Sequence, residues 1–186
     1  MPPKLFILTF SQSNGLRIGP FLAPLLQAAY PGCVLLNKAV GGSSILSWQQ
    51  GQPNYDAALN DVFRLMPDYE PYRIISIIGE TDAKKLQTAS TFKSLFWDGA
   101  GDFRADIGYP YLPVIYVQLG PKPALVNGVD LYPAWNNVQD AQELLTVNHT
   151  AYRKVIGVGG YNPGAPYCHR TDAANQQQAA LIMDAL

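Results

Sequence analysis

Five short apolar runs alternate with longer amphipathic segments along the whole chain. The apolar runs have the length of strands and predict strands near 4–10, 33–39, 72–78, 113–119 and 154–159. The remaining patterned segments predict helices at about 20–30, 55–66, 82–97, 137–149 and 171–185. Strands that alternate with helices form parallel sheets covered on both faces, so the pattern predicts a three-layer α/β/α domain.

The end of the first predicted strand carries the first functional signal. The run Lys4–Phe10 is almost continuously apolar, which is typical of a strand buried on both faces, and the polar segment Ser11–Gly15 follows it. Open α/β sheets bind ligands at the carboxyl ends of their strands, so Ser13 is a candidate nucleophile. Glycines after it predict a sharp turn, with Pro20 near the start of the first helix. The same polar residues are also typical of an ordinary turn.

Three later segments place chemically useful residues at predicted strand ends or helix starts. Gly41 and Gly42 follow the second strand, where a glycine turn can present a bare N–H to a reacting carbonyl oxygen. Glu80 and Asp82 follow the third strand; Glu80 is placed to orient a histidine, and Asp82 is interpreted as a helix N-cap. His169 precedes the last predicted helix. A serine and a histidine in these places indicate a hydrolase whose nucleophile and base are far apart in sequence.

Length and charge narrow the classes of function. The chain has 186 residues, which fits one domain over 1–186, and its formal net charge of −1 provides no basic surface for nucleic acid. No apolar run reaches the ~20 residues that span a bilayer. The run Lys4–Phe10 is too short for a secretory signal with its cleavage site. We therefore expect a soluble protein with neither a nucleic-acid nor a membrane partner, whose compartment and oligomeric state the sequence does not specify.

The few cysteines and histidines favour a metal-free site. Cys33 and Cys168 do not form a disulfide framework, and Cys33 is expected in the core. Cys168 adjoins His169, but neighbours in an extended chain point to opposite sides, so a Cys-His pair is not predicted. His149, at the end of a predicted helix, is assigned a surface or capping role. With two histidines and no Cys/His cluster, we expect no zinc site and no cofactor.

Several segments match, in order, the sequence blocks of one known group of enzymes. The segment Ser11–Gly15 is similar to a Gly-Gln-Ser-Asn-Met block, and Asn37–Ile45 with Trp48 is similar to Asn-x-Ala-x-Gly-Gly-Thr-Ser-Ile followed by Trp. The segment Ile78–Ala83 is similar to Gln-Gly-Glu-Ser-Asp-Ala. The remaining similar segments are Phe103–Gly108, Leu112–Leu119, and His169 with Thr171–Gln176. The chain thereby resembles the SGNH (GDSL-like) hydrolases, and within them the sialate O-acetylesterase-like and acetylxylan esterase branch, carbohydrate esterase family 6.

The resemblance implies a fold, a reaction and a set of site residues. It implies a flavodoxin-like, five-stranded parallel sheet of order 2-1-3-4-5. The implied reaction is removal of an O-acetyl or other small acyl group from carbohydrate through an acyl enzyme, with no cofactor. Ser13 is the implied nucleophile, His169 the general base and acid, and the N–H groups of Ser13 and Gly42 the oxyanion donors. The residues expected to bind substrate are Gln12, Asn14, Ser43 and Trp48.

Three departures from the branch bear on activity. Some relatives support the histidine with a glutamate and an aspartate; Glu80 is present here, but Pro166 stands at the aspartate position, which leaves a Ser-His-Glu triad or a bare dyad open. Ile78 replaces a glutamine beside the oxyanion, and one lost donor typically costs on the order of 10²–10³ in rate. Ser11 replaces a glycine and adds a side chain beside the nucleophile. A slow esterase is therefore expected.

Two other classes of function remain open at this point. The three departures also suit a non-catalytic glycan-binding relative, which would bind ligand without turnover. A flavodoxin-like nucleotide binder is the third hypothesis, although Gly157–Gly160 lacks the strand-to-helix setting of a dinucleotide fingerprint. A sugar-stacking surface has as its aromatic candidates Trp48, Tyr109, Tyr111, Tyr132 and Trp135.

Overall fold

A computed structural model describes residues 4–85, 88–146, 151–161 and 168–186. Its five strands are β1 (Leu5–Ser11), β2 (Val34–Asn37), β3 (Glu70–Ile77), β4 (Val114–Val117) and β5 (Tyr152–Val155). All pairings are parallel, and the spatial order is β2-β1-β3-β4-β5. The structure confirms the predicted α/β fold and the 2-1-3-4-5 order that the resemblance implies.

Helices cover both faces of this sheet. They are α1 (Ser13–Ala29), α2 (Pro53–Leu65), α3 (Glu80–Lys84), α4 (Ala89–Asp106), α5 (Trp135–Glu143) and α6 (Asp172–Ala185), with short 3₁₀ helices at Ile45–Trp48 and Leu144–Thr146. Helices α1 and α6 pack on one face, and α2, α4 and α5 contribute to the apolar cluster on the other. Among the residues described, no helix has both the length and the apolar character needed to cross a bilayer.

Side-chain alternation in β1 explains why both faces need a cover. Phe6, Leu8 and Phe10 join the cluster beneath α2 and α4, while Ile7 joins the cluster beneath α1 and α6. Successive side chains of a strand point to opposite faces, so a strand that is apolar throughout is stable only between two layers. Because β1 and β3 are parallel neighbours, their carboxyl ends lie at the same edge of the sheet, and α1 and α3 begin beside them.

Helix α1 begins earlier than predicted, at Ser13 rather than near residue 20. The expected sharp turn is absent from this described segment, and both Pro20 and Pro24 lie inside the helix. Proline removes a helical N–H and leaves the carbonyl four residues earlier without its partner. Leu16, Pro20 and Pro24 are all exposed, so the affected carbonyls lie on the solvent side of the helix, where water can satisfy them. Ser13 consequently stands in the first turn of a long helix.

Other boundaries also differ from the predictions. The predicted helix 82–97 is two helices, α3 and α4, because Thr88 caps a new helix by accepting a hydrogen bond from the Thr91 N–H. The fifth strand begins at Tyr152, two residues before the predicted start. The end of the predicted helix 137–149, including His149, lies outside the described residues, as does Pro166.

Candidate active site

A pocket of about 350 Å³ opens at the carboxyl ends of β1 and β3. Its lining joins residues from the first strand-to-helix junction, the glycine turn after β2, helix α3, and the segments before α5 and α6. The lining residues are Gln12, Ser13, Gly41, Gly42, Glu80, Thr81, Lys84, Tyr132, Cys168 and His169. The fold therefore brings Ser13, Gly42, Glu80 and His169 to one pocket. These four residues are the predicted candidates from four separate segments of the sequence.

Ser13 is the first residue of the 17-residue helix α1. The first N–H groups of an α-helix have no intrahelical acceptor, and the helix dipole makes this end partially positive. The Gln12 carbonyl already accepts the Gly15 N–H at 2.9 Å, which closes the first turn. The Gln12 side chain turns towards α3, where its Oε1 accepts the Thr81 N–H at 3.3 Å. An oxyanion that forms on Ser13 would meet this helix end.

Ser11 and Gly15 fit closely against each other beside Ser13. A Cβ built on Gly15 would lie 2.1 Å from Ser11 Cβ and 2.6 Å from Ser11 Oγ. Ser11 is fully buried and does not line the pocket. Its side chain therefore fills the space that the missing side chain of Gly15 leaves, and the departure at position 11 is accommodated without obstructing the pocket.

The glycine turn after β2 is fastened to the last residue of β1. The Ser11 carbonyl accepts both the Val40 N–H at 2.9 Å and the Ser43 hydroxyl at 3.3 Å. Gly42 has a φ of +72°, a conformation that glycine adopts without strain. These contacts hold the turn against β1, the strand that leads into Ser13, with Gly42 at the pocket wall.

Asp82 has a different role from the one predicted. It lies inside α3, whose N-cap is Gly79, so its assignment as the N-cap of that helix is wrong. Its carboxylate instead accepts the Ile45 N–H at 3.1 and 3.2 Å, at the start of the 3₁₀ helix that follows the glycine turn. Burial raises the pKa of Asp82 to about 7, with the hydrogen bond from Ile45 acting in the opposite direction. The side chain thus ties α3 to the segment that presents Gly42.

Replacing Asp82 with asparagine should change how stability depends on pH. The asparagine amide retains an acceptor for the Ile45 N–H but carries no buried charge. In the wild type the folded-state pKa of Asp82 lies above its ordinary value, so its contribution to the free energy of unfolding falls as pH rises from about 4 to about 7. Urea unfolding measures the free energy of unfolding of both proteins at pH 4.5 and pH 8. The value for the variant minus the value for the wild type should be larger at pH 8 by on the order of 1–4 kcal/mol.

The exposed variant Asp68→Asn controls for the change in net charge. An Asp82→Asn minus wild-type difference that is the same at both pH values would contradict the buried, titrating carboxylate.

Glu80 and Asn14 form the buried floor behind the pocket. Asn14 Nδ2 donates to Glu80 Oε1 at 2.7 Å, and within the described part of the chain Glu80 Oε2 has no hydrogen-bond partner. Burial raises the pKa of Glu80, while the Arg170 guanidinium and the Asn14 hydrogen bond oppose that rise. Arg170 is itself 1% exposed, so a buried cation faces this carboxyl group. The hydrogen bond that the structure gives Glu80 thus goes to Asn14, the neighbour of Ser13.

His169 is half-buried at the pocket wall, between the buried residues Cys168 and Arg170. Burial lowers the pKa of His169, and the nearby positive charge of Arg17 lowers it further. The neutral imidazole is therefore favoured at neutral pH, and a neutral imidazole is the form that can accept a proton.

Cys168 lies on the same pocket as His169, contrary to the expectation that the two neighbours face opposite sides. Burial, followed by the negative charge of Glu80, raises the pKa of Cys168 to about 12. The Cys168 N–H also donates to the Tyr132 hydroxyl at 3.2 Å. The thiol is therefore protonated at neutral pH and is not an activated nucleophile.

Cys168 should react slowly with thiol reagents despite lining a pocket. A pKa near 12 instead of 9 lowers the thiolate fraction about 10³-fold, so iodoacetamide at pH 8 should alkylate native protein about 10³-fold more slowly than an exposed cysteine. A mass-spectrometric time course measures the rate, and the same reaction in urea is the control because it exposes Cys168 and Cys33 alike. Alkylation of native Cys168 at the rate seen in urea would contradict this assignment.

Three residues expected to bind substrate lie behind the pocket wall instead. Asn14, Ser43 and Trp48 are 0%, 6% and 2% exposed, and none lines the pocket. Trp48 belongs to the core, with its ring 5.0 Å from that of Phe10, and its indole N–H donates to Ser43 Oγ at 3.3 Å. These side chains support the wall rather than form it, whereas Gln12, itself 1% exposed, is among the residues that line the pocket.

The structure also shows where Ile78 and the aromatic candidates for sugar stacking lie. Ile78 is 2% exposed and lies in the core rather than beside the pocket opening. Tyr132 lines the pocket and packs edge-on against the buried Trp135. Tyr109 and Tyr111 lie at the opposite end of the sheet, near the start of β4. Among the described residues, no group of three or more His, Cys, Asp or Glu side chains is arranged to bind a metal ion.

The parallel five-stranded sheet with helices on both faces is the SGNH hydrolase fold, which this chain shares with similar solved structures. Residues 11–185 match the family described as carbohydrate esterase, sialic acid-specific acetylesterase, and the chain belongs to that family. The match to this family therefore covers almost the entire chain.

Solved structures agree on the fold. A protein from Arabidopsis thaliana is 16% identical with a TM-score of 0.79, covering 99% of this chain and 98% of that one. A carbohydrate acetylesterase from Sinorhizobium meliloti is 14% identical with a TM-score of 0.68, covering 98% of each chain. One from Xanthomonas citri is 22% identical with a TM-score of 0.64, covering 88% of this chain but 39% of that enzyme. No curated protein sequence matches the chain.

Proposed function

We propose that this protein is a serine esterase that removes O-acetyl or other small acyl groups from carbohydrate. The observation that carries the proposal is the meeting of Ser13 and His169, 156 positions apart by their numbers, on one pocket whose wall includes Gly42. Membership of a carbohydrate esterase family supports an acetylated carbohydrate as the substrate class. The mechanism below follows from the chemistry of these groups.

Acylation begins with a proton transfer from Ser13 Oγ to the neutral imidazole of His169. The serine oxygen attacks the ester carbonyl, and the negative charge passes to the carbonyl oxygen, which the N–H groups of Ser13 and Gly42 stabilise. As the tetrahedral intermediate collapses, the bond to the sugar oxygen breaks and His169 returns the proton to that oxygen. The products of this half-reaction are the free sugar hydroxyl and an acyl ester on Ser13.

Deacylation repeats the same steps with water as the nucleophile. His169 takes a proton from water, the resulting hydroxide attacks the acyl carbon, and the bond to Ser13 Oγ breaks as the serine regains its proton. Acetic acid leaves and releases its proton to water as acetate forms, and the enzyme returns to its starting state. The helix dipole of α1 favours the anionic intermediate in both halves of the reaction.

Glu80 supports the site from beneath in this proposal. Its hydrogen bond to Asn14 places the carboxyl group next to the residue that follows the nucleophile, in the same pocket as His169. A negative charge on Glu80 in this pocket would favour the positive charge that His169 carries while it holds the serine proton, and the alternative is a Ser-His dyad in which Glu80 has no such role. Ile78 supplies no donor to the oxyanion, so we expect a low turnover rate.

The experiment that tests the proposal compares acetate release by wild type and Ser13→Ala. Both proteins are given a chromogenic acetyl ester, acetylated xylan and an O-acetylated sialic acid, after circular dichroism confirms that both are folded. Turnover by the wild type that Ser13→Ala lacks supports a serine esterase, and the preferred substrate identifies the sugar. Binding of these glycans by a wild type that releases no acetate would instead favour the non-catalytic relative. Equal turnover by both proteins would overturn the role of Ser13.

A further inference from the structure

Asn14 connects the residues on both sides of His169 to the nucleophile. It directly follows Ser13, is 0% exposed and lies in the first turn of α1. Its Nδ2 donates to the Cys168 carbonyl at 2.9 Å, and its Oδ1 accepts the Arg170 N–H at 3.2 Å. One side chain thus holds the peptide groups immediately before and after His169, which are more than 150 positions distant in the sequence.

The hydrogen-bonding capacity of Asn14 is used almost completely. Besides the Cys168 carbonyl, Nδ2 donates to Glu80 Oε1 at 2.7 Å. An asparagine amide has two N–H donors and an oxygen with two lone pairs, so both donors and one lone pair are occupied. A buried polar group that loses its hydrogen-bond partner destabilises the folded protein. Rotation of the Asn14 amide would break its hydrogen bonds, so the amide is held in one orientation. An amide held in this way fixes the position of the segment around His169 relative to α1.

We propose that Asn14 is a positioning residue, which sets the location of His169 relative to Ser13 through these two backbone contacts. The proposal rests on the proposed function, in which His169 exchanges a proton with Ser13. Proton transfer requires hydrogen-bond reach, and a displacement of about 1 Å can cost about 10²-fold in rate. Asn14 acts through the backbone of His169 and has no contact with the pocket, which differs from the substrate-binding role that its sequence position suggested.

Other contacts hold the histidine segment without joining it to the nucleophile. The Cys168 N–H donates to the Tyr132 hydroxyl at 3.2 Å, and the Thr171 N–H donates to the Gly160 carbonyl at 2.9 Å. These bonds keep the segment folded when Asn14 is changed. Loss of Asn14 should therefore shift His169 relative to Ser13 while the fold persists.

The test compares Asn14→Ala with Gln178→Ala. Gln178 is also 0% exposed and also bridges two backbone groups, because its Oε1 accepts the Val158 N–H at 2.9 Å and its Nε2 donates to the Ile156 carbonyl at 3.3 Å. Gln178→Ala loses two part-buried hydrogen bonds and Asn14→Ala loses three buried ones, and only Asn14 touches the segment on both sides of His169. The Gln178 variant thus measures the effect of general destabilisation.

Two readouts separate positioning from stability. The first is kcat and KM for a chromogenic acetyl ester: Asn14→Ala should lower kcat about 10²-fold with little change in KM, while Gln178→Ala should stay within about threefold of wild type. The second is the pH titration of the His169 imidazole C–H signal by NMR, assigned with His169→Ala. Its titration midpoint should shift in Asn14→Ala and remain unchanged in Gln178→Ala.

Equal losses of kcat in the two variants, or an unshifted His169 titration in Asn14→Ala, would overturn the inference. If Asn14→Ala does not fold, Asn14→Asp replaces it: this variant keeps the side-chain size and the acceptor for the Arg170 N–H, but its carboxyl group has at most one donor in place of two. Wild-type kcat and an unshifted His169 titration in Asn14→Asp would again overturn the inference. A wild type without esterase activity would refute the proposed function, and the NMR titration would still test the positioning of His169.

Discussion

Replacing His169 with alanine is expected to lower kcat/KM for a chromogenic acetyl ester by about 10⁴-fold. The imidazole accepts a proton from Ser13 during acylation and from water during deacylation, and alanine offers no group that can do so. Burial and the charge of Arg17 hold the pKa of His169 below its ordinary value, so wild-type kcat/KM should decline only on the acid side of pH 6.5. Rates measured from about pH 5 to about pH 9 check both statements.

The control for this substitution is the thermal unfolding of the variant. His169 is half-buried, so His169→Ala should retain a cooperative transition close to that of the wild type. Glu80→Gln, measured in the same series, separates a Ser-His-Glu triad, in which its rate falls, from a dyad, in which it does not. A His169→Ala protein that kept more than about a tenth of wild-type activity would show that another group is the base.

The substitution Gly15→Ala should destabilise the protein by about 3 kcal/mol and displace the nucleophile. Alanine normally stabilises a helix by up to about 1 kcal/mol relative to glycine, so the expected sign is the reverse of the usual one. The reason is the 2.1 Å separation between the new Cβ and the Cβ of Ser11, which forces α1 away from β1. Urea denaturation measures the stability, and ester hydrolysis measures the displacement.

The double variant Ser11→Gly/Gly15→Ala should recover most of both losses. Once the Ser11 side chain is removed, the nearest remaining atom to the new Cβ at position 15 is Ala39 Cβ, at 3.2 Å. Gly101→Ala is the matched control, because Gly101 lies in helix α4 and a Cβ there meets no atom within 4 Å. Losses that simply added in the double variant would contradict direct packing between positions 11 and 15.

The strands and the main helices followed from local patterns, and the errors have local causes. Apolar runs located all five strands because strands buried on both faces need no polar alternation. The predicted start of α1 is wrong because the prediction places a proline in the first turn, whereas Pro20 and Pro24 lie on the exposed side of a longer helix. The break before α4 had a detectable signal in the capping residue Thr88.

The site was predictable only in part. Ser13 and Glu80 each begin a helix, Gly42 and His169 lie in connecting segments, and the shared edge of a parallel sheet brings these positions together. The bonds that support them were not predictable from local sequence. Asp82 reaches Ile45, and Asn14 reaches both flanks of His169, through contacts that exist only after the chain has folded.

The central claim is that Ser13 is a nucleophile activated by His169, and covalent labelling tests it most directly. Wild type, Ser13→Ala and His169→Ala are treated with a fluorophosphonate, which reacts with activated serines, and the adduct is located by intact-mass and peptide-mass measurement. The account predicts a single adduct on Ser13 in the wild type, none in Ser13→Ala, and labelling of His169→Ala slowed by several orders of magnitude. An unlabelled Ser13 in a protein that hydrolyses the acetyl ester would contradict it.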